Sequence, residues 1–500
     1  MAKFNEKNTA KTTNREGLPA YRMGEREQLV TAVLTTMLGE PKFYGSTDSD
    51  IFILGSKAAR EDPEFLYRLA RYARNEANLR SVSHVLCCII ARDGRKYTRP
   101  AVRDVVRRPD DITEIMACWL KMYGKPFPNA MKREIANVIQ QFNEYSLAKY
   151  NRRNGLKFKD VLRITHPRPK DPETEALFRK VLDGTLETPY TWETELSARG
   201  NTAEVWNELI ASGKVGYMAL LRNLSNIIES GADVSPVLKV LSDPARIRES
   251  RQMPFRFFSA YRMLGCKKLL TDEITRALET AITVSTEGME TIPGRTLVAV
   301  DTSGSMASRV SRRTNVMCRD IACLLGAMSG RLCEDAEICW FDQARTEYWP
   351  HYREYKGYQI GRCARDENIL EFCLNSPEGG GGTDLSLPLK YALEEDPRAS
   401  ERPFDRIIYF SDNMCNTRLP GNTTVQDLAD RYRRKYNPEL WVHAVDLMGY
   451  GTQQFRGERF NVIAGWSEFV LPFILIAEKG IGSLAEYIAS GGKTGEADAR

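Results

Sequence analysis

Histidine is scarce in this 500-residue chain. His84, His166, His351 and His443 are the four, and none stands at zinc-ligand spacing with a cysteine, which argues against a structural zinc site. The eleven cysteines form no CxxC pair. An odd number of scattered thiols, with Cys87 and Cys88 adjacent in an apolar run, reads as the reduced, buried cysteine of a cytoplasmic protein. No apolar run approaches the ~18–20 residues that span a bilayer, so no membrane association is expected. The opening stretch "MAKFNEKNTAKTTNREG" lacks the apolar core of a secretory signal, and residues 1–19 and 491–500 are expected to be polar tails without fixed structure. A strong excess of either charge is also missing: the net charge is +5. That balance hides an asymmetry. Residues 1–290 hold 46 Lys and Arg against 37 Asp and Glu, whereas residues 291–500 hold 25 against 29. The positive field belongs to the first part, where a polyanionic partner fits.

The chain is too long for one ordinary core, and its texture changes once. Within 20–290, segments such as "DPEFLYRLARYARN", "SVSHVLCCIIARD", "DITEIMACWLKMYG" and "NAMKREIANVIQQFNEYSLAKY" carry apolar residues at three-to-four spacing. Serial helices with short connections imply helix pairs stacked side by side, in irregular repeats because no clean sequence repeat is present. After "TIPGR" (291–295), short β-type runs alternate with helices: "TLVAV" (296–300), "AEICWFD" (336–342), "RIIYFSD" (406–412) and "LWVHAVDL" (440–447), with "RFNVIAGW" (459–466) as a further strand. Such alternation implies a parallel sheet covered on both faces, with its ligand site at the carboxyl ends of the strands. The expected division is therefore a helical domain over 20–290 and an α/β domain over 291–490.

Two of these strands end in acids, Asp301 in "VAVDTSGSMAS" and Asp412 in "RIIYFSD". Between them, "GGGGTDLSLP" (379–388) offers Thr383 after four glycines. Asp301, Ser303, Ser305, Thr383 and Asp412 form an all-oxygen set with two formal charges. That suits a hard divalent ion, Mg²⁺ or Mn²⁺, in near-octahedral geometry. DxSxS alone reads equally as a polar turn ending a strand. The full order, on an α/β pattern, resembles the metal-ion-dependent adhesion site of von Willebrand factor A domains over roughly residues 291–490. The resemblance implies a Rossmann-like domain that grips an anionic group of a partner through the metal, without catalysis.

The densest positive charge lies in "YSLAKYNRRNGLKFKDVLRITHPRPK" (145–170). Lys149, Arg152, Arg153, Lys157, Lys159, Arg163, Arg168 and Lys170 face one acid, Asp160, with Tyr150, Phe158 and His166 interleaved. Cations suit phosphates and flat rings suit unpaired bases. A solvated helix–loop–helix face with Phe158 in the core satisfies the same pattern, and charge alone leaves both open. The segment is similar to the signature of TROVE-domain proteins, the Ro autoantigen and its bacterial relatives, as are "YMALLRNLSNI" (217–227) and "PFRFFSAYRML" (254–264). The resemblance implies a monomeric ring of irregular HEAT-like repeats closed by the A-type domain. It also implies two RNA partners, a Y-like small RNA on the outer surface and single-stranded ends of misfolded or degraded non-coding RNA in the central hole. Bacterial relatives can be tethered through the RNA to an exoribonuclease. Carried over by position, Lys149, Arg153 and His166 are the outer-surface contacts, with Lys149 on phosphate as a point charge and Arg153 on phosphate or a base face. Asn151 departs from the pattern, standing where relatives can carry lysine. Arg222, beside Asn223, and Arg256 are cavity candidates whose alternative is ordinary helix packing.

Three functional classes follow: an RNA-binding scaffold of non-coding RNA quality control, a metal-dependent protein–protein adhesion module, and an RNA-processing enzyme. Adhesion alone has no need of so basic a segment. A two-metal nuclease needs more carboxylates than the A-type set supplies.

Overall fold

The computed structural model describes residues 11–13, 19–35, 46–151, 155–250, 252, 254–287, 289–309, 316–347, 353–363, 367–377, 379–448, 452–464, 470–479 and 483–491. These fall into two compact units. One gathers the described residues of Gly45–Val215 with those of Ile488–Gly492, and the other those of Met1–Tyr44 with Gly216–Tyr487.

The first unit is helical. Helix Pro63–Asn75 starts where Asp62 accepts the Phe65 amide (3.1 Å) and proline fills the first turn, and it buries Phe65, Leu66, Leu69, Ala70 and Ala73 along one stripe. Helix Arg80–Asp93 packs against it, with Cys87 and Cys88 in the core. Helix Pro109–Tyr123 packs on that helix in turn. The run 129–150, read from sequence as one helix, is broken. Asn129–Val138 passes through a 3₁₀ turn, and a new helix, Glu144–Tyr150, begins where Asn143 Oδ1 accepts the Ser146 amide at 2.9 Å. An asparagine that caps competes with the backbone for its own hydrogen bond, so the helix restarts rather than continues.

Buried charge ties this unit together. Asp111 accepts from Arg80 Nε (2.5 Å), Arg74 Nη2 (3.0 Å), and the amides of Arg107 (3.0 Å) and Arg108 (2.9 Å), and it pairs with His84 Nε2 at 3.1 Å. Burial alone would raise the Asp111 carboxyl, but His84 and Arg80 outweigh it and hold it far below the carboxylate range. Burial pushes the His84 imidazole down.

The second unit is built on a six-stranded sheet: β1 Ile292–Asp301, β2 Cys333–Phe341, β3 Tyr358–Gly361, β4 Arg406–Ser411, β5 Trp441–Asp446 and β6 Phe460–Ala464. The spatial order is β6-β5-β4-β1-β2-β3, all parallel except the antiparallel edge strand β3. Residues 297–301 of β1 and the whole of β4 are buried, as central parallel strands must be. Chain order reverses between β1 and β4, the switch point at which doubly wound sheets open a crevice beyond their strand ends. The helices between Tyr217 and Thr286 belong to this unit. Glu279 on helix Asp272–Thr286 accepts the Ile369 amide (2.9 Å) at the start of helix Ile369–Leu374.

The N-terminal segment departs from expectation. Lys11–Thr13 pairs with Pro19–Arg22, which pairs with Thr452–Gln453, and helix Glu25–Thr35 packs against β6. Part of the segment taken for a polar tail is therefore sheet. The first helix of the expected helical domain lies with the α/β unit, and its C-terminal half, residues 29–34, is buried. Among the described residues, no helix is long and apolar enough to cross a membrane.

Candidate functional site

The oxygen set assembles at the switch point. Asp301 ends β1 and Asp412 follows β4, the neighbouring strand, with Val300 opposite Phe410 in register. Ser303 donates its amide to Asp301 Oδ1 (2.9 Å), which curls the loop after β1 back over the carboxylate. Thr383 Oγ1 donates to Ser303 Oγ at 2.8 Å, and the hydroxyls of Ser303 and Ser305 lie 3.2 Å apart. Asp301, Ser303, Thr383 and Asp412 are buried, and Ser305 is exposed at the rim. Glycine brings Thr383 this close. A Cβ on Gly379 would collide with the Thr302 carbonyl, and one on Gly382 with Asn416 and Gln343. The Gly304 amide then donates to the Gly381 carbonyl at 3.0 Å.

Two side chains that the sequence reading passed over complete the arrangement. Ser411 Oγ donates to Asp301 Oδ2 (2.6 Å), and Asn416 Oδ1 accepts the Thr383 amide (2.8 Å). Ser411 is the residue before Asp412 at the end of β4, so a polar residue closing an otherwise apolar strand was its signal. Burial, and then the charge of Asp412, raise the Asp301 carboxyl to about 7. Two buried acids that repel each other, with three hydroxyls beside them and, among the described residues, no cation bonded to Asp301, fit a divalent cation by donor chemistry and by charge. Among the described residues, no group of three or more His, Cys, Asp or Glu is placed to hold a metal.

The basic segment lies in the helical unit. Arg152 and Arg153 lie outside the described residues. Lys149, Arg163, Arg168 and Lys170 are exposed, and Lys157 and Lys159 are half-buried. Helix Phe158–Thr165 begins where the Lys157 amide donates to Asp160 Oδ2 (3.0 Å), which engages the segment's one acid with backbone. None of the six described cations makes an ion pair among the described residues. Phe158 is fully buried, so its ring packs the core and presents no face to a base. The exposed rings are others. Lys149 Nζ lies 5.9 Å from the Tyr145 ring centroid and 5.8 Å from that of Tyr150, and the Arg108 guanidinium lies 4.5 Å over Tyr150. Tyr145 is half exposed. Asp110 accepts from Arg108 Nε (3.1 Å) and Nη2 (3.0 Å), fixing the guanidinium above the ring.

His166 caps the helix in a left-handed conformation (φ 48°), its amide donating to the Leu162 carbonyl at 2.9 Å, and its side chain is exposed. Asn151, the departure from the family pattern, accepts the Phe158 amide at 3.4 Å and so closes the loop between the two helices. Beside the cavity candidate Arg222, Asn223 is buried and donates to the Ala219 carbonyl one turn back (2.9 Å), as ordinary helix packing requires. Arg222 is exposed, and Arg256 lies 4.7 Å over Phe255.

Comparison with known proteins agrees with both halves. Residues 25–185 and 183–268 match the TROVE domain, and residues 295–445 match the Ro60 vWA domain. "RNA-binding protein RO60" of Deinococcus radiodurans is 23% identical over 414 residues, covering 72% of this chain and 71% of that protein. The Caenorhabditis elegans "RNA-binding protein RO60" is 30% identical over 227 residues, 43% of this chain and 32% of that one. "Telomerase protein component 1" of Rattus norvegicus is 27% identical over 328 residues, and the match takes in 47% of this chain but only 12% of that much longer protein. The crystal structure of the Deinococcus radiodurans RO (RSR) protein superposes with a TM-score of 0.61 at 17% identity, covering 94% of this chain and 100% of that one, which establishes the shared fold.

Proposed function

For a chain that belongs to the Ro family of TROVE-domain proteins, we propose the role of an RNA-binding scaffold in cytoplasmic non-coding RNA quality control. The observation that carries this reading is the face formed by Tyr145, Lys149, Tyr150 and Arg108, continued by His166 and the cations of 157–170, which make no ion pair among the described residues. Unpaired Lys and Arg take phosphates, and an exposed tyrosine beside a lysine stacks on an unpaired base. The ligand of this face is a structured small RNA of the Y type. Uptake of single-stranded ends of misfolded or degraded RNA follows from family membership, as does an exoribonuclease tethered through the bound RNA. The chain binds and presents RNA and performs no chemistry on it.

Asp301, Ser303, Ser305, Thr383 and Asp412 would hold Mg²⁺, or Mn²⁺ in its place, and the metal would supply a Lewis-acidic point for a partner's anionic group. That cluster is the observation favouring the second reading, a metal-dependent adhesion module, which here becomes a docking function of the same scaffold. The test is to purify the protein from its own host in low salt and sequence the RNA that comes with it. One abundant structured small RNA, lost on replacing Lys149, Arg153 and His166 together by alanine, is the expected result. RNA-free protein, or recovery unchanged by the triple variant, overturns the reading.

A further inference from the structure

The α/β unit carries a net negative stretch of chain, yet Arg431, Arg433, Arg434 and Lys435 crowd into five residues of it. They end helix Val425–Lys435, whose buried stripe is Val425, Leu428, Ala429 and Tyr432. Arg433 is used within the fold. Its Nη2 donates to the carbonyls of Leu440 (2.7 Å) and Glu458 (3.0 Å), and its guanidinium lies 4.1 Å over Phe460. The other three lie on a different face, at positions i, i+3 and i+4. They line a groove of about 300 Å³ against Leu393 and Glu394, at the end of the turn Tyr391–Glu395. Arg431, Arg434 and Lys435 are exposed, and none of them makes an ion pair among the described residues. Lys435 Nζ donates to the Leu393 carbonyl (3.3 Å), which holds one wall in place.

Cations in a last helical turn complement the helix dipole, and one or two suffice for that. Dipole compensation explains neither Arg431, a turn earlier, nor a concave surface between it and a neighbouring element. Asp427 and Asp430, four residues before Arg431 and Arg434, offset part of the mutual repulsion of the three cations, but neither comes within ion-pair distance of them among the described residues, which leaves the groove open to an outside anion. We propose that this groove binds a backbone phosphate of single-stranded nucleic acid, with Arg431 and Arg434 as the bidentate donors and Lys435 as the point charge. Its volume, at the lower end of the roughly 300–1,000 Å³ typical of ligand sites, has room for a phosphate and its sugar rather than a whole cofactor. Glu394, the acid on its wall, faces the sugar hydroxyls as an acceptor and disfavours a second phosphate. The site is on the α/β unit and independent of the segment 145–170.

The experiment uses the full chain and a short oligouridylate containing 4-thiouridine, photo-crosslinked and mapped by mass spectrometry. Crosslinks are expected on peptides spanning 387–396 and 431–436, weakened about tenfold by Arg431→Gln with Arg434→Gln and to an intermediate degree by Arg431→Lys with Arg434→Lys, which keep the charge but lose the fork. Losing both arginines should also lower the slope of log affinity against log salt by roughly 0.7 for each phosphate contact. Absence of crosslinks at the groove in the wild-type protein overturns the proposal, as does their persistence in the glutamine variant. Saturable binding of inorganic phosphate at the groove that the oligouridylate does not compete with overturns it too, in favour of a free-phosphate site. If the glutamine variant does not fold, the wild-type map and the lysine variant still decide. A failure here leaves crosslinks at 145–170 untouched, and a failure at that segment leaves those of the groove, so the two readings fall separately.

Discussion

Replacing Asp111 by alanine tests how the helical unit is held together. Five groups lose an acceptor or partner at once: Arg80, Arg74, His84 and the amides of Arg107 and Arg108. Relief is partial. Arg80 still reaches Asp110 (2.7 Å), and Arg74 still donates to the Val105 carbonyl (3.1 Å). Removing one partner of a buried ion pair costs about 3–5 kcal/mol, because the remaining charge stays buried without compensation. The cost should fall within that range despite the relief, since His84 and two amides have no substitute among the described residues. Hydrogen exchange on peptides covering 63–123 isolates this unit from the other, and at about 1.4 kcal/mol per decade the loss reads as a fall in protection of roughly a hundred- to a few-thousand-fold. The acid limb gives a second readout. Burial depresses His84, so below about pH 6.5 the unfolded chain takes a proton that the folded chain refuses, and stability begins to fall. Asp111 is held below its ordinary range, so its contribution is fully present above about pH 4 and is lost as the pH drops further. Asp111→Asn should erase the lower part of the limb and leave the upper. A cost under about 1 kcal/mol, or an unchanged limb below pH 4, would refute the assignment of Asp111 as the hub.

Three further outcomes are expected. Asp301→Ala should abolish the heat of Mg²⁺ binding in calorimetry while RNA affinity stays at the wild-type value; an RNA affinity that falls with it would mean the two sites are coupled. Lys149→Ala should lower the salt slope of RNA binding by about 0.7–0.9, the signature of one lost phosphate contact, with no change in melting temperature. An unchanged slope would assign Lys149 to the solvated surface. Phe158→Ala should destabilise the helical unit by about 3–5 kcal/mol, since its ring is fully buried, and a cost under about 1 kcal/mol in urea titrations would contradict its place in the core.

Most of the α/β architecture was legible because central parallel strands are apolar on both faces. "TLVAV", "AEICWFD" and "RIIYFSD" announce themselves, and each is a strand. The edge strand Tyr358–Gly361 was not legible, because an antiparallel edge needs no continuous apolar run, and its exposure pattern is mixed. Helices were found by their stripes but not where a cap interrupts them, as Asn143 does. The role of the N-terminal strand pair depends on Thr452–Gln453, more than four hundred residues away, and no local pattern encodes such a pairing. At the oxygen cluster the order of motifs pointed to Asp301, Ser303, Ser305, Thr383 and Asp412, while Ser411 left only the faint signal of a polar residue closing an apolar strand and Asn416 emerged from geometry. In the basic segment the sequence placed the cations but could not tell a buried ring from an exposed one. Phe158 is core, and the accessible ring is Tyr145.

That distinction carries over to charge. The chain's net charge of +5 says little about how it meets a polyanion, because cations differ in whether an acid has already claimed them. In the helical unit Arg74, Arg80 and Arg108 are bound to Asp110 or Asp111. A nucleic acid that approached those arginines would have to compete with a carboxylate fixed at hydrogen-bond distance, so they should release few counterions and add little to the salt slope. Lys149, Arg163, Arg168 and Lys170 are exposed and have no such partner among the described residues, so phosphate contacts should fall to them. Arg108 has an intermediate role. Its charge is answered by Asp110 while its flat face lies against Tyr150, so it orders the ring beside Lys149 without acting as a phosphate ligand. The acidic hub and the basic face are thus parts of one arrangement. Acids 110 and 111 fix the arginines that build the helical unit, and in the segment 145–170 the one acid, Asp160, is engaged by backbone, so its described cations make no ion pair among the described residues.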